Sequence, residues 1–274
     1  MKVNGRSIAK DILAQVREKV AEMERAPHVR AIVVAPSAAT ESYLRIKERR
    51  AKDAGMTFEV VRLPDDAATG AAIAAVEAPG ADALIVQLPL PPEMDTGAVL
   101  DSIPRELDAD ILSLAARTAY AAEDPDALLP PVVAALEEIL TRTNVSVEGK
   151  RAVVIGNGWL VGAPAARWLR RNGAQVDVLT REDADFSTLA DADIVVCGAG
   201  SPRVVRPELI KKGVVLIDAG TSESGGQMVG DVDPACAELA SVFTPVPGGV
   251  GPIAVACLFR NALELVERKR LQTR

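Results

Sequence analysis

Apolar residues at Ile8, Ile12, Leu13, Val16, Val20 and Met23 share one helical face, so Ser7 to Arg25 is expected to form an amphipathic helix. The run Ala31-Ile-Val-Val-Ala35 that follows is apolar throughout, the pattern of a strand buried on both faces of a parallel sheet. A helix is expected from about Ser42 to Ala54, stopped by Gly55. The alternation then repeats, with Thr57 to Leu63 as strand, Thr69 to Val76 as helix and Ala83 to Leu88 as strand ending at Pro89. Strand and helix in strict alternation imply a parallel sheet with crossover helices.

Pro130 and Pro131 open a long helical pattern through Leu140, and Asn144 to Lys150 is a polar turn into a second alternating series. Its strands are Arg151–Ile155, Gln175–Leu179, Ile194–Cys197 and Val214–Asp218, with helices after the first strand and around Thr188 and Pro207. A last helix, about Ile253 to Lys269, follows the turn-rich stretch from Pro245 to Pro252. The expected architecture is α/β in two domains: an N-terminal three-layer parallel-sheet domain and a Rossmann-like nucleotide-binding domain, with the C-terminal helix returning to the first. The expected boundaries are 1–140 with 252–274 for the first domain and 141–251 for the second.

A chain of 274 residues, 49% apolar and 25% charged, has ample material for two cores and no bias toward disorder. Its net charge of −7, with scattered arginines, offers no basic face to nucleic acid. No apolar run approaches the roughly 20 residues that a membrane span needs, and no leader pattern opens the chain, so a cytoplasmic protein is expected. Cys197, Cys236 and Cys257 are far apart and form no C-x-x-C pair, which argues for a reducing compartment and against a metal site. With His28 alone among histidines, acid–base chemistry falls to Lys, Asp, Glu or Tyr.

The strand Arg151–Ile155 feeds Gly156-Asn157-Gly158-Trp-Leu-Val161-Gly162, with Pro164 where a helix should begin. Glycines let a backbone turn sharply and approach a pyrophosphate, which the helix N-terminus then stabilises. The spacing is one residue longer than the common dinucleotide fingerprint. At the end of the next strand stand Arg181 and Glu182. Glu182 suits a ribose diol and NAD, whereas Arg181 suits a 2′-phosphate and NADP, and the choice stays open.

Tyr43-x-x-x-Lys47 sets a phenol and an amine one helical turn apart. Gln87 stands at the C-terminal end of a parallel strand, where α/β proteins place their ligands, and Asp108 lies in the loop Pro104-Arg-Glu-Leu-Asp-Ala-Asp110.

Ser42-Tyr43-Leu-Arg-Ile-Lys47, Val86-Gln-Leu-Pro-Leu-Pro91, Val153-Val-Ile-Gly156 with Val161-Gly-Ala-Pro164, Gly230-Asp231-Val232 and above all Thr244-Pro-Val-Pro-Gly-Gly-Val-Gly-Pro252 together carry a resemblance. Over essentially its whole length the chain resembles the bifunctional methylenetetrahydrofolate dehydrogenase/methenyltetrahydrofolate cyclohydrolase family, FolD. The resemblance implies oxidation of methylene- to methenyltetrahydrofolate with NADP or NAD, then hydrolysis to formyltetrahydrofolate, in a homodimeric enzyme. It places folate in the interdomain cleft, with Tyr43 against the ring system, Lys47 as acid–base group, Gln87 tuning that lysine and Asp108 holding the pterin. Leu88, Pro247, Gly248 and Gly249 would complete the substrate site. Gly156, Asn157, Gly158, Val161, Gly162, Arg181, Ala199, Gly200 and Thr221 would bind the cofactor.

Three stretches depart from the family pattern. Arg105-Glu-Leu-Asp-Ala-Asp110 stands where the family usually has Lys-Asp-Val-Asp-Gly-Phe, and Leu128-Leu-Pro-Pro131 where it has Pro-Cys-Thr-Pro. In the cofactor turn Asn157-Gly158 replaces Arg-Ser, removing a positive group suited to phosphate. The alternative reading is a diverged member that binds a nucleotide or pterin-like ligand with one or both activities lost.

Overall fold

The computed structural model describes the chain except residues 181, 182, 184, 185, 225, 226, 273 and 274. In chain order it forms α1 (Gly5–Ala21), β1 (His28–Val34), α2 (Ala38–Asp53), β2 (Thr57–Leu63), α3 (Thr69–Glu77), β3 (Ala83–Val86), α4 (Thr96–Asp101), α5 (Leu114–Ala121) and α6 (Pro131–Arg142). There follow β4 (Arg151–Ile155), α7 (Gly162–Arg171), β5 (Gln175–Leu179), β6 (Ile194–Cys197), β7 (Val215–Asp218), the hairpin β8 (Ser222–Ser224) and β9 (Gln227–Val229), β10 (Val242–Phe243) and α8 (Val250–Gln272). Two compact units result: residues 10–131 with 255–274, termed the lysine unit, and residues 1–9 with 132–254, termed the glycine-turn unit.

The lysine unit has a parallel sheet in the order β2-β1-β3, with α2 and α3 packed on it. Central β1 begins at His28, three residues before the apolar run, because its one charged residue is buried with partners. Arg30 is 8% exposed, and its guanidinium donates to Glu59 on β2 at 2.7 Å and to the Ala78 and Pro79 carbonyls. Helix α1 ends at Ala21, not Arg25, and Arg25 instead binds Asp82 across the unit at 2.7 Å. Helix α2 starts earlier than apolar periodicity indicates because Ser37 caps it, accepting from Thr40 N at 3.1 Å. Helices α4 and α5, capped by Asp95 and Ser113, are too short for their periodicity to stand out in sequence.

Helix α8 is longer than expected at both ends, since a proline at position 252 is tolerated in a first turn. Within the lysine unit its Phe259 is wholly buried and meets Phe58 of β2 edge to face at 6.2 Å, while Glu267 pairs with Lys19 of α1 at 3.6 Å. The C-terminal helix therefore does return to the first sheet domain.

In the glycine-turn unit five parallel strands run β10-β7-β6-β4-β5. Numbered within the unit this is the doubly wound order 2-1-3-4-5, whose direction reverses between β4 and β6. The helical segments expected around Thr188 and Pro207 are single 3-10 turns, Ser187–Asp191 and Pro207–Leu209. Strands β8, β9 and β10 have two or three residues each and leave no readable alternation. Among the described residues no helix is long and apolar enough to cross a membrane.

Candidate active site

Two groups of side chains assemble, one in each unit. In the lysine unit, Leu44 points into the core at 1% exposure, and this fixes the rotation of α2. Tyr43 and Lys47 then lie half-buried on its flank, one turn apart. The backbone of Gln87 extends the parallel ladder past β3 by donating to Ile32 O at 2.9 Å, so its side chain stands at the C-terminal edge of the sheet. Gln87 Nε2 donates to Leu88 O at 2.8 Å, which settles the amide's orientation and turns Oε1 toward Lys47. Lys47 Nζ donates to that oxygen at 3.0 Å. Leu88 thus enters the site through its carbonyl.

The loop after α4 completes this group. Asp108 is wholly buried, bridges to Leu84 of β3, and accepts from Leu112 N at 3.1 Å and from Ser113 N at 2.8 Å. Burial pushes its carboxyl above the usual carboxylate range, against the pull of these N–H groups. Both oxygens are engaged by N–H groups of the loop. Asp110, two residues on, brings Oδ2 to 3.8 Å from Lys47 Nζ. Its carboxyl is also pushed up by burial, opposed by Lys47 and reinforced by Asp108.

In the glycine-turn unit, β4 and β6 diverge at a backbone contact that admits no side chain. Gly156 has φ +97°, and a Cβ on it would lie 2.6 Å from Gly198 O. A Cβ on Gly162 would lie 1.8 Å from Gly156 O, and one on Gly198 would meet Val161 Cγ1 at 2.4 Å. Gly156, Val161, Gly162 and Gly198 therefore interlock, and the chain enters α7 directly at the head of the crevice. Asn157, Gly158, Trp159 and Leu160 are exposed around the turn. A tight glycine turn running into a ten-residue helix fits a dinucleotide's pyrophosphate.

Ala199 and Gly200 follow β6, and their amides are held by Asp231. Its Oδ2 accepts from Ala199 N at 2.7 Å and Gly200 N at 3.1 Å, and its Oδ1 from Ser201 N at 2.8 Å. Asp218, at the end of β7, accepts from Gly220, Asp231 and Val232 N–H groups. Burial pushes Asp218 up to about 6 in spite of these bonds. Thr221 lies exposed one residue beyond Gly220. Arg181 lies outside the described residues, as does Glu182.

Pro247, Gly248 and Gly249 also belong to the glycine-turn unit and immediately precede α8. Gly248 O accepts from Gly5 N at 3.0 Å, and a Cβ on Gly5 would lie 1.9 Å from Gly249 O, so this loop is clamped by the start of α1. The expected residues thus fall into two sets. Tyr43, Lys47, Gln87, Leu88 and Asp108 are in the lysine unit, and the glycine-turn residues with 199, 200, 221 and 247–249 are in the other.

Four residues of these clusters were given no site role from the sequence: Asp110, Gly198, Asp218 and Asp231. Asp110 is spaced two from Asp108, a signal readable only once the loop is known to be extended there. Asp231 carried a motif signal without an assignable partner, since its three amides lie about thirty positions away.

Fold and site define a two-unit α/β oxidoreductase of the nucleotide-dependent class, with a lysine-centred site on the other sheet. Residues 3–110 match the tetrahydrofolate dehydrogenase/cyclohydrolase catalytic-domain family, and residues 130–270 match its NAD(P)-binding domain. The chain belongs to the tetrahydrofolate dehydrogenase/cyclohydrolase family. It is 34% identical over 278 residues to the bifunctional protein FolD of Lacticaseibacillus casei, covering 98% of each chain. Among solved structures, the FolD methylenetetrahydrofolate dehydrogenase/cyclohydrolase of Campylobacter jejuni superposes with a TM-score of 0.94 at 26% identity, over 98% of this chain and 99% of that one. The FolD of Trypanosoma brucei, complexed with NADP cofactor and inhibitor, has a TM-score of 0.93 at 33% identity, over 98% of both chains.

Proposed function

We propose that Lys47 is the acid–base group of a bifunctional enzyme that oxidises methylenetetrahydrofolate with NAD(P) and hydrolyses the methenyl product to formyltetrahydrofolate. The observation that carries this reading is the 3.0 Å hydrogen bond from Lys47 Nζ to Gln87 Oε1 at the C-terminal edge of the sheet. A half-buried amine held by a side-chain amide is placed to give a proton to a departing nitrogen or take one from an attacking water. Gln87 orients it, and Leu88 O orients Gln87.

NAD(P), when bound, supplies the hydride acceptor for the first step. The turn Gly156 to Gly162 and the N-terminus of α7 would hold its phosphates, with Ala199, Gly200 and Thr221 along the crevice. Asp231 keeps the 199–201 backbone in place for that purpose. Tyr43 offers a ring face for the pterin beside Lys47. Asp108 anchors the neighbouring loop, and Pro247, Gly248 and Gly249 provide a rigid, clamped backbone for substrate contact. In hydrolysis, water forms a C–O bond to the methenyl carbon and loses a proton. Cleavage of one C–N bond, with the hydroxyl oxygen closing to C=O and its proton passing to the departing nitrogen, then gives the formyl product. A homodimer in the cytoplasm belongs to the same reading, supported by the family resemblance and by three buried, unbridged cysteines.

The test uses purified protein with methylenetetrahydrofolate and NAD or NADP in turn, following reduced nicotinamide and then methenyl decay. Reduction with at least one cofactor and subsequent loss of the methenyl absorbance are expected. No reduction with either would overturn the proposal.

A further inference from the structure

Asp110 is held where it is from both sides. Ala109 O accepts from the buried Asn261 of α8 at 3.1 Å, and Asp108 is locked by the N–H groups of Leu112 and Ser113. Ile111, the next residue, has φ +57°, a conformation that a β-branched side chain disfavours. Such strain persists where the surroundings over-determine it. The outcome is a carboxylate 23% exposed standing 3.8 Å from an ammonium 11% exposed. Charges in so dry a setting interact more strongly than on a surface, and the gap is that of an ion pair and not a hydrogen bond.

The two substrates differ in charge at the reacting centre: the methylene carbon is neutral, whereas the methenyl group is a cation. An uncompensated ammonium beside that cation would repel it, and Gln87, being neutral, cannot offset the repulsion. We propose that Asp110 is a positioning residue acting through Lys47: it is the counter-ion that neutralises the lysine, so that the site accepts the cationic methenyl substrate, and it fixes Nζ beside Gln87. The inference rests on the assignment of Lys47 as acid–base group. Among the described residues, the titratable groups that bear on Asp110 are Lys47 from α2 and Asp108 from its own loop, while Gln87, just past β3, is neutral. Burial raises the Asp110 carboxyl, so its charge is lost at a higher pH than that of an ordinary carboxylate.

The experiment compares wild type, Asp110→Asn, Asp110→Glu and Lys47→Met as full-length proteins, measuring KM and kcat for methylene oxidation and for methenyl hydrolysis across pH. In Asp110→Asn the methenyl KM is expected to rise about tenfold while the methylene KM changes less than about twofold. The wild-type rise in methenyl KM toward acid pH should be absent in this variant and restored in Asp110→Glu. A merely structural role would move both KM values together. An unchanged ratio of the two KM values in Asp110→Asn, with Lys47→Met inactive, overturns this proposal alone. Wild-type hydrolysis by Lys47→Met overturns the lysine assignment and this inference with it.

Discussion

Lys47 Nζ donates to Gln87 Oε1 at 3.0 Å, and the same amide donates its nitrogen to Leu88 O at 2.8 Å, so a backbone carbonyl at a strand end fixes the orientation of a lysine on a neighbouring helix. Gln87→Leu keeps the bulk and removes the acceptor. Hydrolysis of supplied methenyltetrahydrofolate is expected to fall about 10- to 100-fold, as expected when a well-oriented group is released, with the NAD(P) KM changed by less than about twofold. Steady-state kinetics on both half-reactions check this.

At the cofactor turn, Gly162→Ala would place a Cβ 1.8 Å from Gly156 O, so backbone must move. We expect a stability loss on the order of 2–3 kcal/mol and an NAD(P) KM raised at least about tenfold. Gly158→Ala is the control. Nothing lies within 4 Å of a Cβ there, and its φ is not in the left-handed region. Its stability should stay within about 0.5 kcal/mol of wild type by denaturant melts.

Asp218 links stability to pH. Its folded pKa, about 6, lies above the ordinary 3.8, so the native state binds the extra proton. Its contribution is fully present below about 3.8 and is lost as pH rises through about 6, a change on the order of 3 kcal/mol. Unfolding free energies of wild type and Asp218→Asn at pH 5 and pH 7.5 should therefore differ from each other more in wild type, and Asp218→Asn should show little of this slope.

Asn261 sits 5% exposed and donates to Ala109 O at 3.1 Å and Leu129 O at 3.0 Å. Asn261→Leu leaves both carbonyls without that donor, at a cost of about 2–3 kcal/mol. Because Ala109 is flanked by Asp108 and Asp110, hydrolysis should slow along with the fall in thermal stability, which melting and rate measurements on one preparation would compare.

Apolar or alternating stretches were legible in the chain: β1 through β7 and a parallel, Rossmann-like second series followed from strand–helix alternation, whereas the strand order did not. What was not legible depends on distant partners. Arg30 reads as a surface charge until Glu59 and two carbonyls are brought around it. Short elements such as β10 owe their existence to the neighbour they pair with. In the site, Lys47 and Gln87 were readable as separate motifs, and the fold joined them across forty positions. Asp110, by contrast, has no motif of its own, and its proximity to Lys47 is set by a loop locked through Asp108 and Asn261.

The central claim, that Lys47 carries the proton chemistry, is tested most directly by Lys47→Met with methenyltetrahydrofolate supplied as substrate and NAD(P) affinity measured on the same preparation. The expected result is a loss of hydrolysis of at least about 100-fold with cofactor affinity unchanged. Full hydrolytic rate in Lys47→Met would contradict it.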